Sequence, residues 1–240
     1  MPTSILVEIL KLRRSLVLLL CLAAPACVAI LSGLMALEHA DNGPWSRFAL
    51  TGTALWAYFM LPMTVTALTV LMAQMEHGPK AWNHLLATPQ PRWRVFAAKL
   101  AVLFGLIAAM SLLLLVAQHA SGWVVDRLSG GAKLTGAPEP LGMAWVLARM
   151  FAGALMMGVL QLWVALRFRS FVPPLVLGIA GTFVAVAATA ARQGAVFPWL
   201  LPVNALASDA ARADQAIGLG FFGGLALMVV MLIDLSRREA

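Results

Sequence analysis

The strongest constraint on this chain is a series of long stretches that contain no charged residue. The first runs from Ser15 to Leu37, and the second lies between Arg47 and Glu76. Each exceeds the roughly 20 residues that a helix needs to cross a bilayer. Only 11% of the residues are charged and 62% are hydrophobic, whereas soluble domains carry about 25% charged residues. The sequence therefore predicts an all-α integral membrane protein.

The charged residues divide the chain into six predicted spans. These are Ser15–Leu37, about Ala49–Gln74, the stretch from Lys99 to near His119, about Met143–Leu166, Phe171–Ala191 and about Ala216–Asp234. Because no remaining segment is long enough to fold alone, residues 1–240 are expected to form one transmembrane domain. A nucleotide-binding or catalytic domain would then belong to a separate chain.

The basic residues predict that both termini are cytoplasmic. With that orientation, 11 of the 17 Lys and Arg residues lie on the cytoplasmic side, as the positive-inside rule requires. They are Lys11, Arg13, Arg14, Lys80, Arg92, Arg94, Lys99, Arg167, Arg169, Arg237 and Arg238. Since membrane topology accounts for the net charge of +7, we do not expect a nucleic-acid partner.

Two segments outside the spans are predicted to lie at the membrane surface. In Thr3–Arg14, apolar residues recur at helical spacing, which indicates an amphipathic interfacial helix before the first span. The alternative is that this segment simply continues the first transmembrane helix. Ala195–Arg212 is apolar, contains two prolines and is too short to span, so we expect a re-entrant segment before the sixth span.

A polar segment, Met75–Leu100, separates the second and third spans. Within it, Pro79 is suited to the first turn of a helix, and Trp82, Leu85 and Leu86 follow at the spacing of one apolar face. Two further prolines would end this helix. A basic loop would explain the charges but not the apolar face, whereas a helix that inserts into a groove on a cytosolic partner explains both.

The chain has no motif that predicts a catalytic or metal site. It contains no Walker A sequence, GxGxxG, HExxH or nucleophile elbow. No charged residue lies at the centre of a span, which argues against an ion-coupled carrier. Uncharged polar residues are usually explained by helix packing, and a weakly polar translocation path is the alternative. The candidates for such a path are Thr64, Thr66, Thr69, Thr182 and Gln161, although Gln161 more simply bonds to a neighbouring helix.

Glu76 followed by "WNHLLATPQPRWRVFAAKL", together with the N-terminal "VEILKLRRS" before a long apolar run, resembles the permeases of ABC-2 type exporters. Within that family, the lantibiotic-immunity and bacitracin-type permeases are the subgroup that the chain resembles most. The resemblance covers essentially the whole chain: the interfacial helix, six spans, the loop after the second span and the re-entrant segment.

This resemblance implies how the protein would work. Two permease chains, identical or homologous, would pack side by side in the bacterial cytoplasmic (inner) membrane. Two cytosolic ABC ATPase subunits would bind ATP and Mg, so this chain itself would need no cofactor and would not be an enzyme. The helix after the second span would be the coupling helix, and spans two and five would face the partner permease and the substrate. The implied ATPase-coupling residues are Glu76, Lys80, Trp82, Leu85 and Leu86.

The expected function is the permease subunit of an ATP-driven exporter. Its cargo would be a peptide antibiotic, a drug or another hydrophobic compound leaving the cytoplasm or inner membrane, and antibiotic resistance would be one outcome. The alternatives are a non-transporting scaffold or assembly subunit of an ABC-type complex, a haem- or sodium-exporting permease, and a membrane-embedded enzyme.

Overall fold

The computed structural model describes residues 2–12, 15–38, 43–77, 91–131, 133–189 and 191–237. These residues form a bundle of long helices joined by short connections. The α-helices are α1 (Pro2–Leu12), α2 (Leu16–Glu38), α3 (Trp45–His77), α4 (Arg92–Leu128), α5 (Pro140–Arg167), α6 (Val172–Ala188), α7 (Leu201–Asn204) and α8 (Ala210–Arg237). One turn of α3, Trp56–Met60, and one turn of α8, Leu219–Gly223, are π-helical.

Within the described residues, five helices are long and apolar enough to cross a membrane, namely α2, α3, α4, α5 and α8. The prediction of a multi-pass helical membrane protein is therefore confirmed. The predicted fifth span is the apolar helix α6, which has 17 residues. At 1.5 Å per residue it measures about 25 Å, somewhat less than the roughly 30 Å hydrocarbon core. The layout with six crossings thus stays a prediction.

The third long helix, α4, is longer than the sequence indicated. We expected it to end near His119, but it continues to Leu128, roughly 13 Å further. Gly122 lies in this extension against the Trp45 ring of α3, so the added turns are packed onto a neighbouring helix. The helix ends where Gly130 and Gly131 adopt positive φ angles of 73° and 80°, a conformation that glycine readily adopts at helix ends.

Just beyond this end, two short strands join the connections that precede α3 and α5. Strand β1 (Gly43–Pro44) pairs in parallel with β2 (Leu134–Thr135). The pairing brings the beginning of α3 close to the beginning of α5.

A buried amide fastens α2, α3 and α4 together in the half of the bundle that contains β1 and β2. Ser32 of α2 donates to Gln118 Oε1 of α4 at 3.0 Å, and Gln118 Nε2 donates to the Phe48 carbonyl of α3 at 3.1 Å. Gly52 makes room for the amide, because a Cβ atom there would lie 2.4 Å from Gln118 Cδ. Both ends of the amide are satisfied, as a buried polar group requires.

The segment between α6 and α8 packs into the bundle. It comprises a 3₁₀ turn at Arg192–Val196 and the short helix α7, whose residues are all buried. From α8, Arg212 donates to Asn204 Oδ1 at 3.1 Å and to the Thr189 carbonyl at 3.2 Å. These bonds hold the segment between α6 and α8, and its re-entrant placement in a membrane stays a prediction.

Candidate functional site

Four charged side chains from three helices meet at the end of the bundle where α3 ends and α4 begins. They are Glu8 and Lys11 of α1, Glu76 of α3 and Lys99 of α4, here called the charge cluster. Lys99 is 0% exposed, Glu76 1% and Glu8 5%, although these residue types are almost never fully buried unless paired. The cluster is therefore the most unusual polar feature of this end of the bundle.

Each of the two ammonium groups donates hydrogen bonds to both carboxylates of the cluster. Lys99 Nζ donates to Glu8 Oε2 at 2.7 Å and to Glu76 Oε1 at 2.8 Å. Lys11 Nζ donates to Glu8 Oε1 at 2.9 Å and to Glu76 Oε1 at 2.7 Å. The two negative and two positive charges cancel, which reduces the large cost of burying each of them.

The structure shows α1 as a separate helix, not as a continuation of α2. Its polar side points inward, because Glu8 is buried in the charge cluster and Leu12 packs in the core. Its other side is apolar, and Leu6, Ile9 and Leu10 are each more than half exposed. An exposed apolar face on an amphipathic helix suits the interfacial layer of a membrane.

Lys11 lies outside the spanning helices and is held in its charged form. Burial by itself lowers the pKa of Lys11, but the hydrogen bonds to Glu76 and Glu8 outweigh it, and the pKa is raised above its ordinary value. The stabilisation from Lys11 is therefore complete below the ordinary lysine pKa and is lost only as the pH rises through the raised one.

The charge cluster flanks the segment that was predicted to contact an ATPase. Glu76 lies at the end of α3 and Lys99 is the eighth residue of α4, so residues 78–90 connect two helices that the cluster joins. Of the predicted coupling residues, Glu76 is buried. The others, Lys80, Trp82, Leu85 and Leu86, lie outside the described residues.

Sequence reasoning did not identify Glu8, Lys11 and Lys99 as partners of Glu76. The two lysines were interpreted only as cytoplasmic charges that orient the spans. Two features of the sequence could have indicated the cluster. Glu76 and Lys99 lie at the facing ends of consecutive spans, and Glu8 and Lys11 lie one helical turn apart in α1. Their meeting depends on how α1 folds back, which no local pattern specifies.

The same end of the bundle carries a second polar contact, between α5 and α8. Asp234 accepts a hydrogen bond from Trp163 Nε1 at 2.9 Å and forms an ion pair with Arg167 at 3.0 Å. Arg167 is partly exposed, so this contact is a weaker fastening than the buried charge cluster.

The threonines predicted for a translocation path are all buried. The hydroxyls of Thr64, Thr66 and Thr69 donate to carbonyls one turn earlier in α3, and Thr182 does the same in α6. Thr66 also packs against Gly178, where a Cβ atom would lie 2.0 Å from its hydroxyl oxygen. The structure thus places these threonines in and beside a close contact between α3 and α6.

The fifth path candidate, Gln161, bonds to a neighbouring helix, as the sequence suggested. Its side-chain Nε2 donates to the Pro174 carbonyl of α6 at 2.6 Å. Its Oε1 is buried and has no hydrogen-bond partner among the described residues. Gln161 therefore keeps one acceptor available inside the bundle.

Comparison with known proteins gives one clear result. The family described as "ABC-2 family transporter protein" matches residues 4–185, from α1 into α6, and this range contains all four residues of the charge cluster. No match was found among curated proteins or among solved structures. Because the family match covers most of the chain and agrees with its bundle of apolar helices, the chain belongs to the ABC-2 family of transporter proteins.

Proposed function

We propose that the protein is the permease subunit of an ATP-driven exporter and that two cytosolic ATPase subunits supply the energy. The charge cluster is the observation that carries this proposal. It ties α1, the end of α3 and the beginning of α4 into one unit, and residues 78–90 connect the last two of these in the sequence. A displacement applied to that segment would therefore reach two spanning helices together.

The energetics favour such a rigid unit. Breaking a buried ion pair by taking away one partner costs about 3–5 kcal/mol, far more than the thermal energy available to a single side chain. Lys99 and Glu76 are both almost completely buried, so α3 and α4 are expected to move together. Residues 78–90 are then a natural place for an ATPase to act.

The roles of the proposed coupling residues divide into two kinds. Glu76 is buried and acts as a positioning residue through Lys11 and Lys99. Trp82, Leu85 and Leu86 form the apolar face that enters the ATPase, with Lys80 beside them. ATP and Mg bind to the ATPase subunits, and this chain carries no cofactor.

Apart from the charge cluster at one end, the buried residues that the structure describes carry no charge, which favours a hydrophobic cargo. The candidate threonines are buried and their hydroxyls are satisfied. The surface that α3 and α6 would offer a substrate is therefore mainly apolar, with exposed side chains such as Phe59 and Phe183. We propose that α3 and α6 face a second permease chain, identical or homologous, and that the path runs between them. A peptide antibiotic, a drug or a similar compound fits this interior, as in the lantibiotic-immunity and bacitracin-type permeases.

The proposed location is a bacterial cytoplasmic membrane, with both termini in the cytoplasm. The charge cluster, Arg167 and Arg237 all lie at one end of the bundle. Concentration of basic residues at one end is what the positive-inside rule associates with the cytoplasm.

The first test concerns attachment of the ATPase. Replacing Leu85 and Leu86 together by Asp should abolish co-purification of the ATPase subunits, because two charges would enter an apolar groove. The matched control is the same replacement at Leu128 and Leu141, which are exposed at the opposite end and should leave the complex intact. Retention of the ATPase by the Leu85/Leu86 variant would contradict the coupling assignment.

A second test separates an exporter from a scaffold subunit. An exporter should move its compound into inverted membrane vesicles only when ATP is present, and the compound should stimulate ATP hydrolysis. A scaffold would do neither. A haem- or sodium-exporting permease would give the same ATP dependence but a different cargo in the vesicles.

A further inference from the structure

Two adjoining clefts lie beside the first turns of α3, at the end of the bundle opposite the charge cluster. The first, of about 260 Å³, lies between α3 and α5 with His119 of α4 in its wall. The second, of about 350 Å³, follows α3 from Arg47 to Phe59. Leu50 lines both clefts, so they meet along a single helix.

Two side chains of the first cleft offer hydrogen-bond acceptors that no described residue uses. The exposed carboxylate of Glu139, at its rim, forms no hydrogen bond or ion pair with any described residue. His119 Nδ1 donates to the Leu115 carbonyl at 2.8 Å, which leaves Nε2 as the acceptor of the neutral ring. Trp45 stacks on this imidazole at 6.3 Å and covers it with an aromatic surface. The cleft is suited to a small cation that carries N–H donors.

The second cleft has a positively charged side chain at one end and is lined mostly by apolar side chains along the rest of its length. Arg47 is exposed, and its guanidinium forms no ion pair with any described residue. From there the cleft passes Leu55 and Tyr58 and ends at Phe59. The twelve residue-to-residue steps from Arg47 to Phe59 measure about 18 Å, which is close to the roughly 15 Å of hydrocarbon in one leaflet. Its length therefore suits one acyl chain below an anionic group.

We propose that the two clefts together hold one phospholipid with a primary ammonium headgroup, that is, a phosphatidylethanolamine. Its ammonium group donates to Glu139 and His119, its phosphate pairs with Arg47, and one acyl chain lies along α3 to Phe59. The Glu139 carboxylate directly precedes α5 and the Arg47 guanidinium lies in the first turn of α3. The pairing of β1 with β2 brings these two helix ends together, and their charges match those of this headgroup. The site concerns α3, α4 and α5 only and does not depend on the proposed transport activity.

The proposed site should discriminate among phospholipids by their headgroups. Phosphatidylcholine carries the same phosphate and a cation, but its ammonium has no N–H group to donate. Phosphatidylglycerol has the phosphate and no cation. Because a hydrogen bond to a charged group changes binding by about tenfold or more, the three lipids should bind with measurably different affinities.

Native mass spectrometry of the delipidated protein in detergent, with each of the three phospholipids added in turn, tests the site. The wild type should retain phosphatidylethanolamine about tenfold better than phosphatidylcholine. Glu139→Gln should remove that preference, and Arg47→Gln should weaken binding of both lipids. Glu38→Gln and Arg127→Gln, at the same end of the bundle but outside both clefts, should behave as the wild type does.

Several results would overturn the proposal. One is equal retention of the three lipids by the wild type, which would indicate general annular lipid only. Another is a preference that survives Glu139→Gln or disappears equally in Glu38→Gln. If a simple alkylamine displaced the lipid and Arg47→Gln had no effect, the site would be one for free amines, and the lipid assignment would be wrong.

Discussion

At the scale of the residue, Lys99 is the most consequential side chain. It is completely buried and donates to carboxylates from two other helices. Such a lysine is tolerable only because both partners are present, since an isolated buried charge costs several kcal/mol. The chain thus depends on a specific arrangement of three helices to keep one ammonium group satisfied.

Lys99→Met should destabilise the protein by about 3–5 kcal/mol, because two buried carboxylates would then share Lys11 alone. Adding Glu76→Gln restores neutrality and should recover much of that loss, which thermal unfolding in detergent would show. Arg127→Met, an exposed charge deletion on the same helix, should change stability by less than about 0.5 kcal/mol. Equal effects of Lys99→Met and Arg127→Met would contradict the account of the cluster.

At the scale of the element, the helices are held together by a few close approaches and buried polar bonds. Glycine allows such approaches in membranes, where packing and not water exclusion drives helix association. Gly52 of α3 lies against the Gln118 amide of α4, and Gly178 of α6 lies against Thr66 of α3. The Gly52 contact positions the first half of α3, which lines the two clefts described above, and the Gly178 contact positions its second half.

Gly52→Ala is expected to destabilise the bundle, because the new methyl group would overlap the Gln118 amide and overpacking costs about 1–3 kcal/mol. Gly105→Ala is the matched control: it lies in α4 with nothing within 4 Å of the added Cβ atom. It should be neutral or stabilising by up to about 1 kcal/mol, from helix propensity alone. Thermal unfolding of the two variants side by side measures the difference in their stability. Equal stability of Gly52→Ala and Gly105→Ala would contradict the close packing at Gly52.

Sequence alone predicted the helices well and their contacts poorly. The first span was placed at Ser15–Leu37 and the helix runs from Leu16 to Glu38, because a lack of charge is a local property. The end of α4 was misplaced, since the turns after His119 are stabilised by packing against α3 and not by their own apolarity. The charge cluster was missed because Glu8 and Lys99 lie 91 residues apart.

At the scale of the whole molecule, the charge cluster links the proposed ATPase contact to the spanning helices. A variant that keeps the fold but loosens this link should separate ATP hydrolysis from transport. The neutral double variant Lys99→Met with Glu76→Gln fulfils that condition, because it preserves charge balance with the remaining Glu8–Lys11 pair.

In the complete complex, this double variant should still bind the ATPase and hydrolyse ATP, yet move less compound per ATP. The reason is that the Lys99–Glu76 ion pair would no longer join α3 to α4. Transport into inverted vesicles and phosphate release, measured on the same preparation, give the ratio. An unchanged ratio would show that the cluster serves stability alone.

The charge cluster also sets an order of events during biosynthesis. Glu8 leaves the ribosome 91 residues before Lys99, which at 5–20 residues per second amounts to about 5 to 18 s. During that interval α1 carries one acid and one base, Glu8 and Lys11, and lacks the Lys99 ammonium that completes the cluster. We therefore expect the charge cluster to close only after α4 has been synthesised, so that α1 docks onto the bundle late in membrane insertion although it is made first.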